Sequence, residues 1–351
     1  MTPKVSAVVV SHRSAAEAAR CVASLAEAFG QEGIEGEVVL VDCGSGEEEA
    51  ALLRDVPADR HVLLADNRGY AGGVNAGLAQ ARSAKLILSN ADVVFAAGSI
   101  GRLLEAIAGP RVGAAAPLST WDAEGRVRLP PGFAPGLFRD AAQLLSGLFP
   151  AFDRRRFASF ARQTQRLWER GGRVPHLSGA VLAARRDVFD AAGRFDERFP
   201  FEYEETEWED RVRSKGLDLL FVPEARVRHL WAVSSSRNPE TCARRAASER
   251  LYRLRRYGRA ATALLDMAAR LPRPRPALTR LPEPRFAARE GAAVALSPNP
   301  SGFPFAASDL SREFLLPDEI RSGLAPGLWY VTVFRKADGR PLERFVWDTP
   351  A

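Results

Sequence analysis

The sequence predicts an α/β fold around a mainly parallel sheet, on three observations. Val5 to Val10 and Glu37 to Val41 are strand-like runs separated by a helical stretch, which makes a parallel βαβ unit. Leu86 to Phe95 is a further apolar run, interrupted only by Ser89-Asn90-Ala91-Asp92. Near-continuous runs of this kind belong to strands buried on both faces. Polar clusters sit at the carboxyl ends of these runs, where open α/β sheets bind ligands, so Asn90 and Asp92 occupy a site position. One carboxylate there either anchors a divalent metal or caps a turn.

The 351 residues allow one large and one small domain. No apolar run approaches the roughly 18 residues of a membrane span. Met1-Thr2-Pro3-Lys4 enters the first strand without the succession of a signal peptide, and Cys21, Cys43 and Cys242 lack disulfide or metal-ligand spacing. A cytoplasmic protein is the expectation. The formal charge of +6 is local: Arg244 to Arg280 holds eleven arginines against Glu249 and Asp266, a balance of +9 that leaves −3 elsewhere. That distribution argues against nucleic acid as a partner. It suits either a solvated helix and linker or contact with an anionic membrane surface or lipid-linked phosphate.

Ala15 to Phe29 has helical composition, with Ser14 as its N-cap. The turn before it lacks G-x-G-x-x-G, which disfavours a nicotinamide or flavin dinucleotide site. His61 to Ala65 reads as a third strand, and Gly69, Gly72, Gly73 and Gly77 follow within nine residues. Each glycine costs about 1 kcal/mol in a helix interior, so the cluster marks either close backbone approach to a diphosphate or a mobile loop. A helix over about Ile100 to Ala108 and a strand over Val112 to Pro117 come next. Ser119 to Val174 is less regular, with helical stretches around Phe138 to Leu148 and Phe152 to Glu169; such an insertion is where a variable acceptor pocket is built. His176 to Ala183 resumes the strand pattern.

Six carboxylates lie between Glu202 and Asp210. A helix starting near Glu204 puts Glu204 and Glu207 on one side and Glu205 and Glu209 on another. Acids in a first helical turn suit the macrodipole, so most of them are structural and one or two are catalytic. Leu219 to Pro223 is a short strand, and Ala225 to His229 follows it. His229, one of four histidines, gains meaning only in combination.

Taken together, Ser11-His12-Arg13, Val41-Asp42-Cys43-Gly44-Ser45, Asn67 to Gly77, Asn90-Ala91-Asp92, Ser178 to Arg186, Glu204-Glu205-Thr206-Glu207 and Val227-Arg228-His229 resemble the motifs of family-2 glycosyltransferases of the GT-A fold. The similarity is to the rhamnosyltransferase-like branch, in order and spacing over about residues 5 to 258. The resemblance implies a Rossmann-like GT-A sheet with flanking helices. It also implies a nucleotide site drawn from Ser11, His12, Asp42, Asn67, Gly69, Gly72, Asn75, Asn90 and Asp92, with Asp42 on the base. By the same resemblance Asp92 and His229 are the ligands of a divalent cation, Mg or Mn, Glu205 is the general base, and Glu204 is a further catalytic candidate. His12 stands where Tyr often stacks on the base, Asn90 where the first acid of D-x-D stands, and Glu205 where Asp is usual.

The residues also fit this chemistry directly. A hard cation offsets charge on a departing nucleoside diphosphate, and a carboxylate opposite it removes the acceptor proton in a single, inverting displacement. The donor is a UDP-, dTDP- or GDP-sugar, and the acceptor is a glycan, a lipid-linked saccharide or a protein. A non-catalytic nucleotide-sugar-binding or scaffold module is the competing class; a glycoside hydrolase needs neither the glycine loop nor a metal position, and a sugar-nucleotide pyrophosphorylase lacks its basic glycine-rich signature here.

The expected organisation is a catalytic domain over 1–260, a basic Pro/Arg-rich linker over 261–285 and a small β-rich domain over 286–351. Val294 to Leu296, Trp329 to Phe334 and Phe345 to Trp347 read as strands, the last two joined by a turn at Ala337-Asp338-Gly339-Arg340. Both faces of the Trp329 strand are apolar, so a domain of this size needs cover from the catalytic domain or a second subunit, which would make a homodimer. Trp329 or Trp347 could alternatively bind carbohydrate. Peripheral contact at the inner membrane face is expected of the basic segment.

Overall fold

The computed structural model describes residues 3–132, 135–146, 148–230, 239–270, 277–324 and 326–349. From the amino end, β1 (Val5–Ser11), α1 (Ala15–Glu32), β2 (Gly36–Cys43), α2 (Glu47–Arg54), β3 (Arg60–Leu64), α3 (Gly69–Gln80) and β4 (Lys85–Asn90) alternate as the apolar runs require. Then come β5 (Val93–Phe95), α4 (Ser99–Ala106), β6 (Val112–Thr120), α5 (Leu137–Leu144), α6 (Pro150–Arg170), β7 (Gly172–Val174), β8 (Val181–Arg185), α7 (Arg186–Ala192), α8 (Glu204–Ser214), β9 (Asp218–His229) and α9 (Pro239–Ala269).

These strands join in one sheet of order β3-β2-β1-β4-β8-β6-β9-β5, with β7 beside β9. β1 to β4 run parallel, whereas β8 is antiparallel to both β4 and β6. The chain steps from β1 outward through β2 and β3, then returns to place β4 on the other side of β1. That reversal is the switch point at which open α/β sheets take ligands, and Ser11, Asp42 and Asn90 all lie at its carboxyl edge.

One face of the sheet packs Val9, Leu40 and Ile87 against Leu25 of α1 and Ile100 of α4. The other face receives α3, and here the glycines differ from their sequence reading. A Cβ on Gly73 would come within 2.5 Å of Cys43 Sγ, and one on Gly77 would run into Val8. These glycines bring helix and sheet into contact; at Gly72 the corresponding space belongs to the Arg68 side chain. Further along, Phe189 and Trp208 stack at 4.6 Å and clamp α7 on α8.

Two sequence expectations are corrected in this unit. His176 to Ala180 is not strand: the backbone N–H of Leu177 donates to Glu209, which holds the segment off the ladder until Val181. Ser14 occupies the N-cap of α1, but its hydroxyl pairs with Ser11, and Glu49 accepts the Ala15 N–H instead.

The described residues divide into two compact units that do not follow the sequence partition. Among the described residues, the first comprises those within 3–119, 171–229 and 239–252, and the second those within 120–170 and 253–349 together with Leu230. The second unit contains β10 (Thr279–Leu281), β11 (Arg285–Phe286), β12 (Ala292–Ser297), β13 (Ala306–Asp309), β14 (Phe314–Leu315), α10 (Asp318–Arg321), β15 (Gly327–Arg335) and β16 (Pro341–Thr349). Its main sheet has order β10-β16-β15-β12-β13, and β15 with β16 forms the expected hairpin.

Trp329, Val331 and Val333 point into a core with Trp121, Val127 and Leu129, while Phe334 meets Phe157 of α6 and Phe305 on the opposite face. The insertion expected to build an acceptor pocket therefore covers the second sheet. Both apolar faces find cover inside this unit, which removes the argument for a second subunit. Trp329 and Trp347 are buried at 6% and 4% exposure, so neither offers a ring to a carbohydrate. α9 breaks at Gly258, where φ is +81°, and the proline-rich stretch Leu271 to Pro276 lies outside the described residues.

Candidate active site

At the end of β1, the His12 ring is held between two neighbours. Its Nδ1 lies 3.0 Å from the Cys43 carbonyl and its Nε2 lies 3.2 Å from the Asn67 side-chain amide. With Nδ1–H donating to the carbonyl and the Asn67 amide donating to Nε2, one tautomer satisfies both. The ring stays exposed at the carboxyl edge of the sheet. Asp42, buried at the end of β2, accepts from the Ser45 hydroxyl at 2.5 Å and from the Ser45 N–H at 3.3 Å. Asn67 also accepts the Gly69 N–H at 2.9 Å, fixing the turn into α3 where Gly69 has φ +70°.

Asn75 and Ser11 bond elsewhere. Asn75 donates to the Phe195 carbonyl and to Glu197, and accepts the Phe195 N–H, so its amide ties α3 to the segment before α8. The Ser11 hydroxyl is 3.0 Å from that of Ser14. Asn90 anchors through its backbone, whose N–H donates to the Ala180 carbonyl.

Asp92 and His229 come together because β5 and β9 pair with Val93 opposite His229. Asp92 Oδ1 is 3.3 Å from His229 Nε2, and both residues are buried. Burial opposes ionisation of Asp92, but the adjacent imidazole outweighs it and holds the carboxyl below its ordinary range. The second oxygen, Oδ2, is buried without a hydrogen-bond partner.

The acidic residues at the start of α8 act on Tyr70 together with Asp92. Glu202 and Tyr203 have φ of +59° and +70°, an uncommon backbone for such residues, and they turn the chain so that α8 begins with Glu204 and Glu205. Glu204 is buried, its Oε2 has no partner, and burial followed by the charge of Glu205 raises it well above the usual carboxyl range. Burial pushes Glu205 up to about 7.

Three residues here were not assigned from sequence. The Tyr70 hydroxyl donates to the Gly179 carbonyl at 3.3 Å; burial, then the charges of Glu204, Glu205 and Asp92, raises it far above its ordinary value. Tyr70 thus senses both the aspartate and the two glutamates. His176 and Glu209 form a buried hydrogen-bonded pair behind Glu205. The available signal was the spacing of Glu205 and Glu209 on one helical face. Among the described residues, no cluster of three or more metal-ligating side chains occurs.

The sequence model of glycosyl transferase family 2 matches residues 6–191. The chain belongs to that family. The matched stretch of this family-2 glycosyltransferase runs from β1 into α7 and stops before α8, so Glu204, Glu205 and His229 lie beyond it. The chain is 34% identical over 216 residues to the N-acetylglucosaminyl-diphospho-decaprenol L-rhamnosyltransferase of Mycobacterium tuberculosis, covering 58% of this chain and 69% of that one. It is also 34% identical over 105 residues to the succinoglycan biosynthesis protein ExoO of Rhizobium meliloti, 29% of each chain. The structure of GalNAc-T7 with UDP, GalNAc and Mn2+ superposes with a TM-score of 0.52 at 19% identity, over 77% of this glycosyltransferase and 52% of that chain. The fold is GT-A, extended by the second sheet.

Proposed function

We propose that this glycosyltransferase moves a sugar from a nucleoside-diphosphate donor to an acceptor hydroxyl with inversion, and that it uses a divalent cation. The carrying observation is that buried Tyr70 feels the charges of Glu204, Glu205 and Asp92 together, with Asp92 paired to His229, so the candidate metal ligands and the candidate base gather around one side chain. The donor set fits a cation: a buried carboxylate oxygen lacks a partner, and an imidazole nitrogen stands beside it. Asp92 and His229 would hold Mg or Mn, which when bound offsets negative charge on the departing diphosphate.

The remaining roles fall to the chain itself. His12 offers an exposed ring to the base, and Asp42, fixed by Ser45, lies beside it at the strand ends. Gly69 and Asn67 shape the turn into α3, whose amino end favours anionic groups. Gly72 and Asn75 support that turn and the loop ahead of α8 rather than facing open space. Glu205 takes the proton of the acceptor hydroxyl as its oxygen bonds to the anomeric carbon and the bond to the diphosphate breaks. Tyr70 and the neutral form of Glu204 surround that carboxylate.

The Mycobacterium relative, by its name, transfers L-rhamnose to a lipid-linked diphosphate sugar. We extend that reading here: deoxyhexosyl transfer to a lipid-linked saccharide, at the inner membrane face, with glycan and protein acceptors as alternatives. No helix among the described residues is long and apolar enough to cross a membrane. Incubation with UDP-, dTDP- and GDP-sugars plus Mg or Mn tests the activity, and NMR of the product's anomeric configuration tests inversion. Nucleotide binding without transfer or hydrolysis of any donor would overturn it.

A further inference from the structure

The segment between β7 and β8 folds onto α8 and aligns a histidine with two glutamates. Nδ1 of His176 is hydrogen-bonded to the Glu209 carboxylate, and the Leu177 N–H donates to both oxygens of that carboxylate at 3.2 Å. Those bonds fix the ring so that its other nitrogen, Nε2, lies 4.0 Å from Glu205 Oε1. The side chains of Glu209, His176 and Glu205 retain 1%, 9% and 14% of their exposure. Gly179 also packs against Glu205, since a Cβ there would lie 3.0 Å from Glu205 Cγ.

We propose that His176 is the positioning residue of the base: Glu209 fixes the imidazole, and the imidazole holds the Glu205 carboxylate in place and charged. The inference rests on the reading of Glu205 as the acceptor base. At 4.0 Å the contact is too long for a hydrogen bond, so it acts through charge. The titratable and charged groups facing this row are Tyr70 on α3, Glu202 ahead of α8, and Glu204, Glu209 and Arg213 on α8.

Burial, Glu209 and Glu202 all disfavour a negative Glu205, and His176 opposes them. Burial likewise disfavours a positive ring, but Glu209 and then Glu205 outweigh it and raise His176 above its ordinary range. Glu209 thus has a distinct task. Once Glu205 has accepted the proton from the acceptor hydroxyl, its charge is cancelled, and Glu209 remains as counter-ion to the imidazolium. Without it a buried cation would be left unpaired at the end of each turnover.

The test compares wild-type enzyme with His176→Gln, Glu209→Gln and Glu205→Gln. It uses whichever UDP-, dTDP- or GDP-sugar the wild-type enzyme turns over. His176→Gln should lower kcat about tenfold or more, leave the donor KM unchanged, and move the acid limb of the pH profile to higher pH. A loss that is uniform across pH would overturn the proposal and leave His176 with a structural role. Glu209→Gln should lower kcat in the same way, and Glu205→Gln combined with His176→Gln should lose no more than Glu205→Gln alone. An additive loss would count against the coupling.

A second arm needs neither turnover nor a folded His176 variant. The ring titration of His176, followed by NMR in the full chain, should shift to lower pH in Glu205→Gln, because a negative neighbour has been removed. An unchanged midpoint overturns the proposal. If Glu205→Gln turns over normally, the base reading itself fails; if it abolishes turnover while His176→Gln leaves the acid limb in place, only the positioning role fails.

Discussion

Asp92 Oδ1 lies 3.3 Å from His229 Nε2, across a gap of more than a hundred residues that β-pairing closes. Val93 and His229 are cross-strand partners, so the residue just ahead of β5 is brought against the last residue of β9. The geometry is set by backbone register, which makes substitutions at either side chain clean probes of ligation. Asp92→Ala and His229→Ala are each expected to weaken Mn2+-dependent binding of UDP, dTDP or GDP by about tenfold or more. Calorimetry with and without Mn2+ measures this. Unchanged binding in both variants would remove the metal assignment.

The glutamates at the start of α8 predict opposite responses to the same substitution. Glu205→Gln keeps the shape but cannot accept a proton, so turnover should fall about a hundredfold or more while donor binding survives. Burial and then the charge of Glu205 raise Glu204 well above the usual carboxyl range and favour its neutral form, which glutamine resembles, so Glu204→Gln should change kcat only a few-fold. Steady-state kinetics on both variants decides. Near-normal turnover in Glu205→Gln together with loss in Glu204→Gln would reassign the base.

A raised carboxyl also has a stability signature. Glu205 titrates near 7 in the folded chain against an ordinary 4.5, so the folded state binds the extra proton between those values. Its contribution to stability is fully present below about pH 4.5 and is lost as pH rises through about 7. Above pH 7 Glu205→Gln should therefore melt higher than the wild-type chain, by an amount worth at most about 3 kcal/mol. Thermal denaturation at pH 5 and pH 8 reads the crossover. A variant less stable at both would count against the buried charge.

Part of the charge of the basic segment is already paired. Arg245 contacts Glu202 at 2.9 Å and Arg253 contacts Asp140 at 3.1 Å. If the rest of the segment contacts lipid, binding to vesicles should require anionic headgroups. It should fall as salt shortens the Debye length toward about 10 Å. Flotation with neutral and anionic vesicles at two salt concentrations measures it, and no binding at low salt returns the segment to a solvated helix.

The sheet was legible because buried parallel strands are continuous apolar runs, and Val5 to Val10 or Leu86 to Leu88 admit little else. The placement of Asn90 and Asp92 at the sheet's carboxyl edge was legible because a polar residue just past such a run falls there, whereas His12 and Asp42 entered through the family resemblance. Gly73 and Gly77 were misread for a physical reason: a glycine that admits a phosphate and one that admits Val8 or Cys43 look alike in sequence. Cover for the Trp329 strand was expected from the catalytic domain or a second subunit, and α6 could not be singled out because it precedes that strand by more than a hundred residues and sequence distance says nothing of packing. His176 was read into a strand because its neighbours are apolar, while the partner that pulls it out, Glu209, lies on a helix thirty-three residues away.

Gly179 offers the sharpest separation of catalysis from folding. It has no left-handed backbone requirement, so alanine fits its conformation, yet the added methyl would lie 3.0 Å from Cγ of Glu205 and 3.2 Å from its carboxyl carbon. The glutamate side chain must give way, because Gly179 is also fixed by the bond from the Tyr70 hydroxyl to its carbonyl. A shift of a few tenths of an ångström is small for stability, since only a partly buried side chain moves. It matters for a proton transfer that depends on hydrogen-bond reach. Gly179→Ala is thus expected to lower kcat about tenfold with little change in donor KM, Mn2+-dependent nucleotide binding or melting temperature. Kinetics, calorimetry and thermal denaturation on one preparation resolve the three. Unchanged kcat would mean that the Glu205 carboxylate does not have to sit where the glycine leaves room for it, and the base would have to be sought elsewhere around Tyr70.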